Sequence, residues 1–190
     1  LIFQAIFSVV WSPTIYKWTA EGVDPIRIKK IIDYVVLGVM VIWSMTGFFS
    51  FLVTYVLPPK YDAVEFIFVT AMAYPLLYTM SEATGVGVNL KRKTFYTMLA
   101  TFLALIINII SNYLLIPEYG AAGAAISSAI AFMVFFIIRT EVSAKVWKSF
   151  PRLAMYGVII LALTVSIISA MPVDFVGKRL FWVGVLSVAL

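Results

Sequence analysis

The sequence predicts an all-α membrane protein, a polytopic bundle of transmembrane helices. Hydrophobic residues make up 63% of the 190 residues and charged residues only 12%, so there is too little polar surface to cover a soluble globule of this length. The charged residues are grouped between long neutral segments, as expected when each neutral segment crosses a bilayer. We therefore interpret residues 1–190 as one membrane domain.

Seven apolar segments are predicted to span the membrane. Residues 34–57 contain no ionisable side chain other than tyrosine, and as a helix they would be about 36 Å long, enough to cross a hydrocarbon core of roughly 30 Å. The sequence begins and ends inside apolar segments, so we expect a fragment of a larger protein. The predicted spans are 1–16 (cut), 34–57, 63–81, 94–116, 120–138, 153–171 and 180–190 (cut).

The positions of the basic residues predict how the spans are oriented, because Lys and Arg in short loops are kept on the cytoplasmic side. The loops at 17–33, 82–93 and 139–152 hold 11 of the 14 basic residues. The connections between these loops are nearly free of positive charge. This alternation supports the span count independently of hydropathy and places the connection near residue 118 on the outer side.

A short turn joins two of the spans in the segment NYLLIPEYGAAG, residues 112–123. Pro117 lacks an amide hydrogen and cannot continue a helix, and Gly120 can take the left-handed conformation that a tight reversal requires. The following helix carries small residues at four-residue spacing, namely Ala121, Ala125 and Ala129. Such a pattern lets membrane helices approach closely, so we predict an antiparallel helical hairpin over residues 94–138.

The composition argues against several chemistries. The sequence contains no His and no Cys, so it offers no imidazole base, thiol nucleophile, disulfide or Cys/His metal site. The segment GVGVNLKRKT, residues 85–94, lacks the Gly-Lys pair and the preceding strand of a phosphate-binding loop. We expect no metal and no cofactor. The net charge of +5 is distributed by topology, so it does not indicate nucleic-acid binding.

The most specific stretch is NLKRKTFYTMLATFLALIINIISNYLLIPEYGAAGAAISSAIAF, residues 89–132. A basic loop leads into a long helix that ends in Asn, Tyr, Leu, Ile and Pro, followed by a Tyr-Gly turn and Gly-Ala-Ala. The residues concerned are Lys91 to Lys93, Asn112, Tyr113, Leu114, Ile116, Pro117, Tyr119, Gly120, Gly123, Ala124 and Ala125. This pattern resembles polysaccharide or lipid-linked oligosaccharide flippases of the multidrug/oligosaccharidyl-lipid/polysaccharide exporter superfamily. Two weaker marks are WSPTIYKW, residues 11–18, and PPKYDAVEF, residues 58–66, where Pro59 and Lys60 replace a frequent Gly.

The resemblance implies a MATE-like flippase fold, in which two six-helix lobes face one another in a V. This chain would be the second lobe plus trailing helices, and the N-terminal lobe would lie outside this sequence. Members of the family flip an undecaprenyl-diphosphate-linked oligosaccharide from the inner to the outer leaflet by alternating access, for cell-surface polysaccharide export. No covalent bond changes in that task, so the resemblance implies a transporter and not an enzyme.

The resemblance also implies a location and a set of partners. The location is the inner (plasma) membrane, crossed several times. The implied partners are the lipid-linked oligosaccharide, membrane lipids, the missing N-terminal lobe of the same chain, and polysaccharide polymerase or assembly proteins. No nucleic acid is among them.

Candidate residues for a substrate path follow from what a sugar headgroup needs, which is hydrogen-bonding groups across the hydrocarbon. Asn108 and Asn112 lie on one helix face and could bond sugar hydroxyls, although Asn in membrane helices also holds neighbouring helices together. Tyr74 and Tyr78 are paired in the same way around Pro75. That proline is either a hinge or a static kink.

The charged candidates lie at the predicted inner side. Lys91, Arg92 and Lys93 could bind the diphosphate, or they could only set topology and contact anionic lipids. Glu82 is expected to be exposed at the interface, with pairing to Lys17 or to a cation of residues 27–30, or titration with a coupling ion, as the alternatives.

Two other functions remain open. A cation-coupled multidrug exporter of the same superfamily would share the fold, but it should show membrane-embedded carboxylates and an aromatic cavity. No predicted span has an acid near its midpoint. A membrane scaffold subunit would transport nothing and would use the small-residue stripe as a stable interface.

Overall fold

The computed structural model describes residues 2–58, 64–147, 151–171 and 178–189, and every regular element within these ranges is an α-helix. The predicted all-α class is therefore confirmed. Some residues named in the sequence analysis lie outside the described residues. They are Pro59 and Lys60, which belong to the weaker resemblance, and residues 1 and 190, which end the two cut spans. The helices are α1 (Ile2–Ala20), α2 (Pro25–Phe48), α3 (Leu52–Val56), α4 (Val64–Ala71), α5 (Ala73–Thr84), α6 (Val86–Leu90), α7 (Thr94–Val146), α8 (Leu153–Ala170) and α9 (Lys178–Ala189).

Three helices in the described part of the chain are long and apolar enough to cross a membrane, which indicates a membrane protein. They are residues Ile26–Phe48 of α2, the whole of α7 and the whole of α8. Their apolar side chains would be stabilised by hydrocarbon, and their backbone polar groups are satisfied within each helix.

The longest helix, α7, folds back on itself. Its 53 residues are interrupted at Gly120, which has φ 53° and ψ −126°. A side-chain carbon placed on Gly123 would collide with the backbone of Leu115. In a continuous helix, residues eight apart are separated by about 12 Å along the axis, so a contact this close requires the chain to fold back. Residues 94–119, the first arm, therefore run antiparallel to residues 121–146, the second arm. The predicted hairpin is present.

The position of the reversal differs from the prediction. Pro117 does not end the helix, because the first arm continues to Tyr119 and only Gly120 leaves the helical conformation. A proline near the end of a helix removes one hydrogen bond, here the one to the carbonyl of Tyr113, without forcing the chain to reverse. The left-handed φ of Gly120 makes the turn.

Small residues join the two arms. Ala100 and Ala104 of the first arm form a cluster with Ala131 and Phe135 of the second arm. Both Ala100 and Ala131 are almost completely buried. Because alanine has only a methyl side chain, these contacts bring the helix backbones close together.

The predicted stripe of small residues, Ala121, Ala125 and Ala129, does not form the contact with the first arm. Ala125 and Ala129 are buried, but Ala121 is exposed. Ala129 belongs to the main core, on a different face of the second arm from the Ala131 contact. The prediction placed the small residues on the correct helix but did not identify the face that meets the first arm.

The main core lies where α2, α4, α5, α8, α9 and the second arm of α7 meet. Its largest fully buried side chains come from five different helices, namely Trp43, Leu77, Phe136, Ile159 and Trp182. Two long-range hydrogen bonds fix α4 in this core. Trp43 Nε1 donates to the carbonyl oxygen of Val69 at 3.3 Å, and Thr70 Oγ1 donates to the carbonyl oxygen of Ser166 at 2.8 Å.

The segments predicted to face the inner side meet at one end of the bundle. Trp18 of α1, Ile28 of α2, Leu90 of α6 and Trp147 after α7 contribute to one apolar cluster. The three basic segments of the sequence therefore lie near one another at the same end of the bundle. We refer to this end as the basic end.

Helix bounds depart from the predicted ranges at several places. Helix α2 begins at Pro25 instead of residue 34 and ends at Phe48 instead of residue 57, where the separate helix α3 follows. The carboxylate of Asp24 accepts a hydrogen bond from the amide of Ile26 at 2.9 Å and caps α2. The predicted loop 139–152 is helical as far as Val146. Charged residues at helix ends are hydrophilic yet helical, so hydropathy alone misplaced the start of α2 and the end of α7.

A further departure is that the helical hydrogen-bond pattern of the predicted span 63–81 is interrupted at one position. Helix α4 ends at Ala71 and α5 begins at Ala73, with Met72 between them. The ring of Pro75 clashes with the carbonyl of the residue four positions earlier, which is Ala71. Met72 keeps a helical backbone, with φ −65° and ψ −18°, so Pro75 interrupts the hydrogen-bond pattern without turning the chain.

Replacing Ala131 with leucine is expected to weaken the hairpin. Ala131 is 1% exposed and lies against the first arm, so a larger side chain should cost about 1–3 kcal/mol of unfolding free energy through overpacking. Thermal unfolding of the purified protein in detergent measures this. Ala121→Leu, at an exposed position of the same arm, should leave the unfolding temperature unchanged, and equal shifts in the two variants would contradict the contact.

Replacing Gly123 with alanine should disturb the reversal itself. The added methyl group would meet the carbonyl group of Leu115, which is backbone and cannot rotate away, and we expect a loss of about 1–3 kcal/mol. The control is Gly157→Ala in α8, where no described atom lies within 4 Å of the new carbon. That variant should be neutral or slightly stabilised because alanine favours a helix. Unchanged stability of the Gly123 variant would argue against a tight reversal.

Candidate functional site

A cavity of about 340 Å³ lies between the two arms of α7 and reaches α5. Its size is at the lower end of the range for small-molecule sites, about 300–1,000 Å³. Small side chains on both arms leave this space where larger ones would fill it. The lining residues are Tyr78 of α5, then Thr101, Ala104, Leu105 and Asn108 of the first arm, and Ser128, Ala131, Phe132 and Phe135 of the second arm.

Aromatic rings form the wall of the cavity on the side of α5. Tyr78 stacks on Phe135, with ring centroids 5.9 Å apart and planes within 10°. Phe132 meets Phe135 edge to face at 5.9 Å, and Tyr74 packs on Phe132 at 4.3 Å. Aromatic pairs of this kind are stabilising beyond the area that they bury. They give α5 and the second arm a rigid shared surface.

A row of polar side chains runs along the first arm. Asn112 Nδ2 donates to Asn108 Oδ1 at 3.0 Å, so the amide nitrogen of Asn108 remains available as a donor beside the cavity. The buried atoms Asn112 Oδ1 and Thr97 Oγ1 have no hydrogen-bond partner. Leaving a buried polar group unpaired costs roughly 1–3 kcal/mol. Such groups in a membrane helix favour a functional role over a purely structural one.

The structure brings some of the sequence-predicted path residues together and separates others. Asn108 and Tyr78 both line the cavity. Asn112 lies behind Asn108 and holds it by the hydrogen bond just described, whereas Tyr74 contributes to the aromatic wall but not to the cavity lining. The basic residues 91–93 lie exposed at the basic end and do not line the cavity.

An ion pair lies one helical turn beyond the aromatic wall, towards the basic end. Arg139 Nη1 contacts Glu82 Oε1 at 2.5 Å and Ser81 Oγ at 3.1 Å. The side chains are 3% exposed for Arg139 and 11% for Glu82. The guanidinium also lies 5.3 Å from the ring centroid of Phe135.

This pair corrects two predictions. Glu82 is not exposed at the interface, and its partner is Arg139 instead of Lys17 or a cation of residues 27–30. Arg139 was assigned to a topology-setting loop, but it is a buried residue of a helix. One signal in the sequence could have found it. Arg139 follows Phe135 by four positions and Phe132 by seven, so it continues the same helix face.

Further polar contacts extend this pair along the interface between the two segments. Thr84 Oγ1 and Thr140 Oγ1 are 2.6 Å apart, and the amide of Gly87 donates to Ser143 Oγ at 2.9 Å. Gly87 allows this approach because a side-chain carbon there would overlap Ser143. We call the contacts of residues 81–87 with residues 139–143 the polar seam.

The turn between α6 and α7 has an unusual backbone. Arg92 has φ 52°, and among the described non-glycine residues it alone has a positive φ. The amide of Lys93 donates to the carbonyl oxygen of Val88 at 2.9 Å, a pattern in which glycine usually occupies the left-handed position. A left-handed arginine costs roughly 1–2 kcal/mol. Lys91, Arg92 and Lys93 are all exposed.

Metal binding has no support in the described residues, which contain no group of three or more metal-ligating side chains. Comparison with protein-family models, with curated proteins and with solved structures yields no match. The functional interpretation therefore depends on the residues of this chain and on their geometry.

Replacing Arg92 with glycine should not destabilise the protein, although it removes a side chain. Glycine relieves the strain of the left-handed conformation, but its greater flexibility in the unfolded chain offsets part of this effect. We expect the free energy of unfolding to rise by up to about 1 kcal/mol. Lys91→Gly removes the same charge at a residue with φ −88° and should be neutral or destabilising. Thermal unfolding of the two variants in detergent makes the comparison. Equal losses of stability would show that φ at Arg92 imposes no strain.

Proposed function

We propose that this chain belongs to a membrane transporter that flips an undecaprenyl-diphosphate-linked oligosaccharide from the inner to the outer leaflet of the plasma membrane by alternating access. The chain would form the second lobe of a MATE-like fold. The observation that carries the proposal is the placement of Asn108, an amide donor beside an aromatic-walled cavity in an otherwise apolar helical hairpin.

The cavity has the mixed chemistry that an amphipathic substrate needs. Its walls are mostly apolar, and Tyr78, Thr101, Asn108 and Ser128 supply a few hydrogen-bonding groups. A polar headgroup cannot cross hydrocarbon unless its hydrogen bonds are replaced. The first arm also carries exposed large apolar residues that are suited to contact with acyl chains, namely Phe95, Met98, Phe102, Ile109 and Leu114.

The basic end supplies a second part of the proposal. Exposed Lys91, Arg92 and Lys93 precede the first arm, where they could attract the diphosphate of the substrate. The strained backbone at Arg92 supports a role in binding the diphosphate. If the positive charge served only to set the membrane topology, a lysine or arginine at an unstrained neighbouring position would serve equally well.

Asn108→Leu should abolish export in a protein that still folds, although Asn112 Nδ2 loses its acceptor at a cost of about 1–3 kcal/mol. The leucine removes the amide donor from the cavity, and its apolar side chain suits the hydrocarbon environment. The measurement is surface polysaccharide in a bacterium that lacks its own flippase and expresses the full-length protein. Membrane abundance of each variant is checked in parallel, and Thr164→Leu, on the exposed side of α8, is the matched control. If the Asn108 variant exported polysaccharide at the parental level, the cavity would not be part of the substrate path.

A cation-coupled multidrug exporter is the second candidate, and one observation favours it. Tyr78, Phe132 and Phe135 give the cavity an aromatic wall, which suits flat apolar drugs as well as lipid-linked sugars. A drug-efflux assay in the same strain separates the two candidates. Efflux without polysaccharide export would favour the exporter, and the absence of both activities would favour a scaffold subunit.

A further inference from the structure

Helix α5 contacts the second arm of α7 in two different ways along its length. Near the cavity the contact is aromatic, through Tyr78 and Phe135. One turn closer to the basic end, the same faces carry Glu82 and Arg139, which form the ion pair. Side chains four residues apart lie on the same face of a helix. The cavity wall and the ion pair are therefore one continuous surface on each helix.

The ion pair is incompletely satisfied. Both contacts of Arg139 with α5 use Nη1, while its buried Nε has no hydrogen-bond partner. A buried pair offsets the loss of hydration only when the geometry is good and the remaining donors are bonded. This pair is thus weak as a permanent source of stability. The better-attested use of such a pair is to fix register or to act as a switch.

The other end of α5 provides a point about which it can move. Helix α4 is fixed in the core by the hydrogen bonds of Val69 and Thr70. Pro75 has no amide hydrogen to donate to the carbonyl of Ala71, so the helical hydrogen-bond pattern is interrupted between α4 and α5, while Met72 itself keeps a helical backbone. Beyond this break, the apolar side chains of α5 pack without directional bonds, and the directional contacts with the second arm are those of the polar seam.

We propose that the ion pair between Glu82 and Arg139 is a latch. When the pair is formed, it holds α5 against the second arm and keeps the cavity closed at the basic end. When the pair separates, α5 swings about Met72, Tyr78 moves away from Phe135, and the cavity opens towards the basic end. The purpose of this motion rests on the proposed transport function, but the motion can be measured without any transport assay.

A disulfide can report whether the polar seam is closed. These 190 residues contain no cysteine, so Thr84→Cys/Thr140→Cys places the only two thiols of this segment where two hydroxyl oxygens now lie 2.6 Å apart, and any cysteine elsewhere in the full-length protein is replaced by serine. In membrane vesicles containing the full-length protein, mild oxidation should cross-link this pair. Adding Glu82→Gln leaves Arg139 without a counter-charge, and the cross-linking rate should fall about tenfold. Cross-linking at the parental rate would overturn the latch.

A matched control tests whether any lost ion pair has the same effect. Glu141 accepts two hydrogen bonds from Arg152 and one from Tyr156, and it connects α7 to α8 at the same end of the bundle. Adding Glu141→Gln to the cysteine pair should leave the cross-linking rate unchanged. An equal reduction by Glu82→Gln and Glu141→Gln would show general loosening of the basic end and would also overturn the latch.

A second variant keeps the test decisive if Glu82→Gln prevents folding. Glu82→Gln/Arg139→Gln removes both charges, so no unpaired charge is left buried. Folding is checked by size-exclusion chromatography in detergent. Slow cross-linking in this folded variant supports the latch, and cross-linking at the parental rate overturns it.

Combining the disulfide with the export assay separates the latch from the proposed function. Arrest of export by the cross-link, with recovery on reduction, supports both. Slow cross-linking in the Glu82 variant together with no transport of sugar or drug supports the latch and overturns the proposed function. Full transport by the cross-linked protein supports transport and overturns the latch.

Discussion

The reversal of α7 is the constraint on which the candidate site depends. Gly120 turns the chain, and the bare backbone of Gly123 lets the second arm begin in contact with Leu115. From that point the two arms remain close enough for Ala104 and Ala131 to belong to one buried cluster. The cavity exists because small side chains leave space between helices that this turn forces to be neighbours. A wider turn would let the arms diverge, and no cavity would form between them.

The position of polar groups within the bundle follows from the absence of water in hydrocarbon. Hydroxyl groups such as those of Thr46 and Thr164 return their hydrogen bonds to carbonyls of their own helix, which satisfies them without a neighbour. Glu82 and Arg139 cannot do this because their charges need a partner from another helix. The two kinds of polar residue therefore have different consequences. The first is neutral for the fold, whereas the second fixes one helix against another.

Much of the fold could be predicted from the sequence because hydropathy and turn chemistry act locally. The helical class, the interruption caused by Pro75 and the hairpin about Gly120 all follow from single residues or short runs. The face on which Ala131 meets the first arm could not be predicted, since Ala125 and Ala129 offer an equally good small-residue pattern. The partner of Glu82 could not be predicted either, because Arg139 lies 57 residues away and the hairpin must form before the two can meet.

The dimensions of the cavity limit what this chain can do by itself. A volume of about 340 Å³ is too small to surround a long oligosaccharide, and it provides only a few hydrogen-bonding side chains. A lipid-linked sugar would therefore contact this chain over part of its headgroup and would need other surfaces for the rest. A single planar drug, by contrast, could be accommodated almost completely between Tyr78, Phe132 and Asn108. The two proposed substrates thus differ in how much of the binding energy this cavity would supply, and the loss of Asn108 should affect their binding unequally.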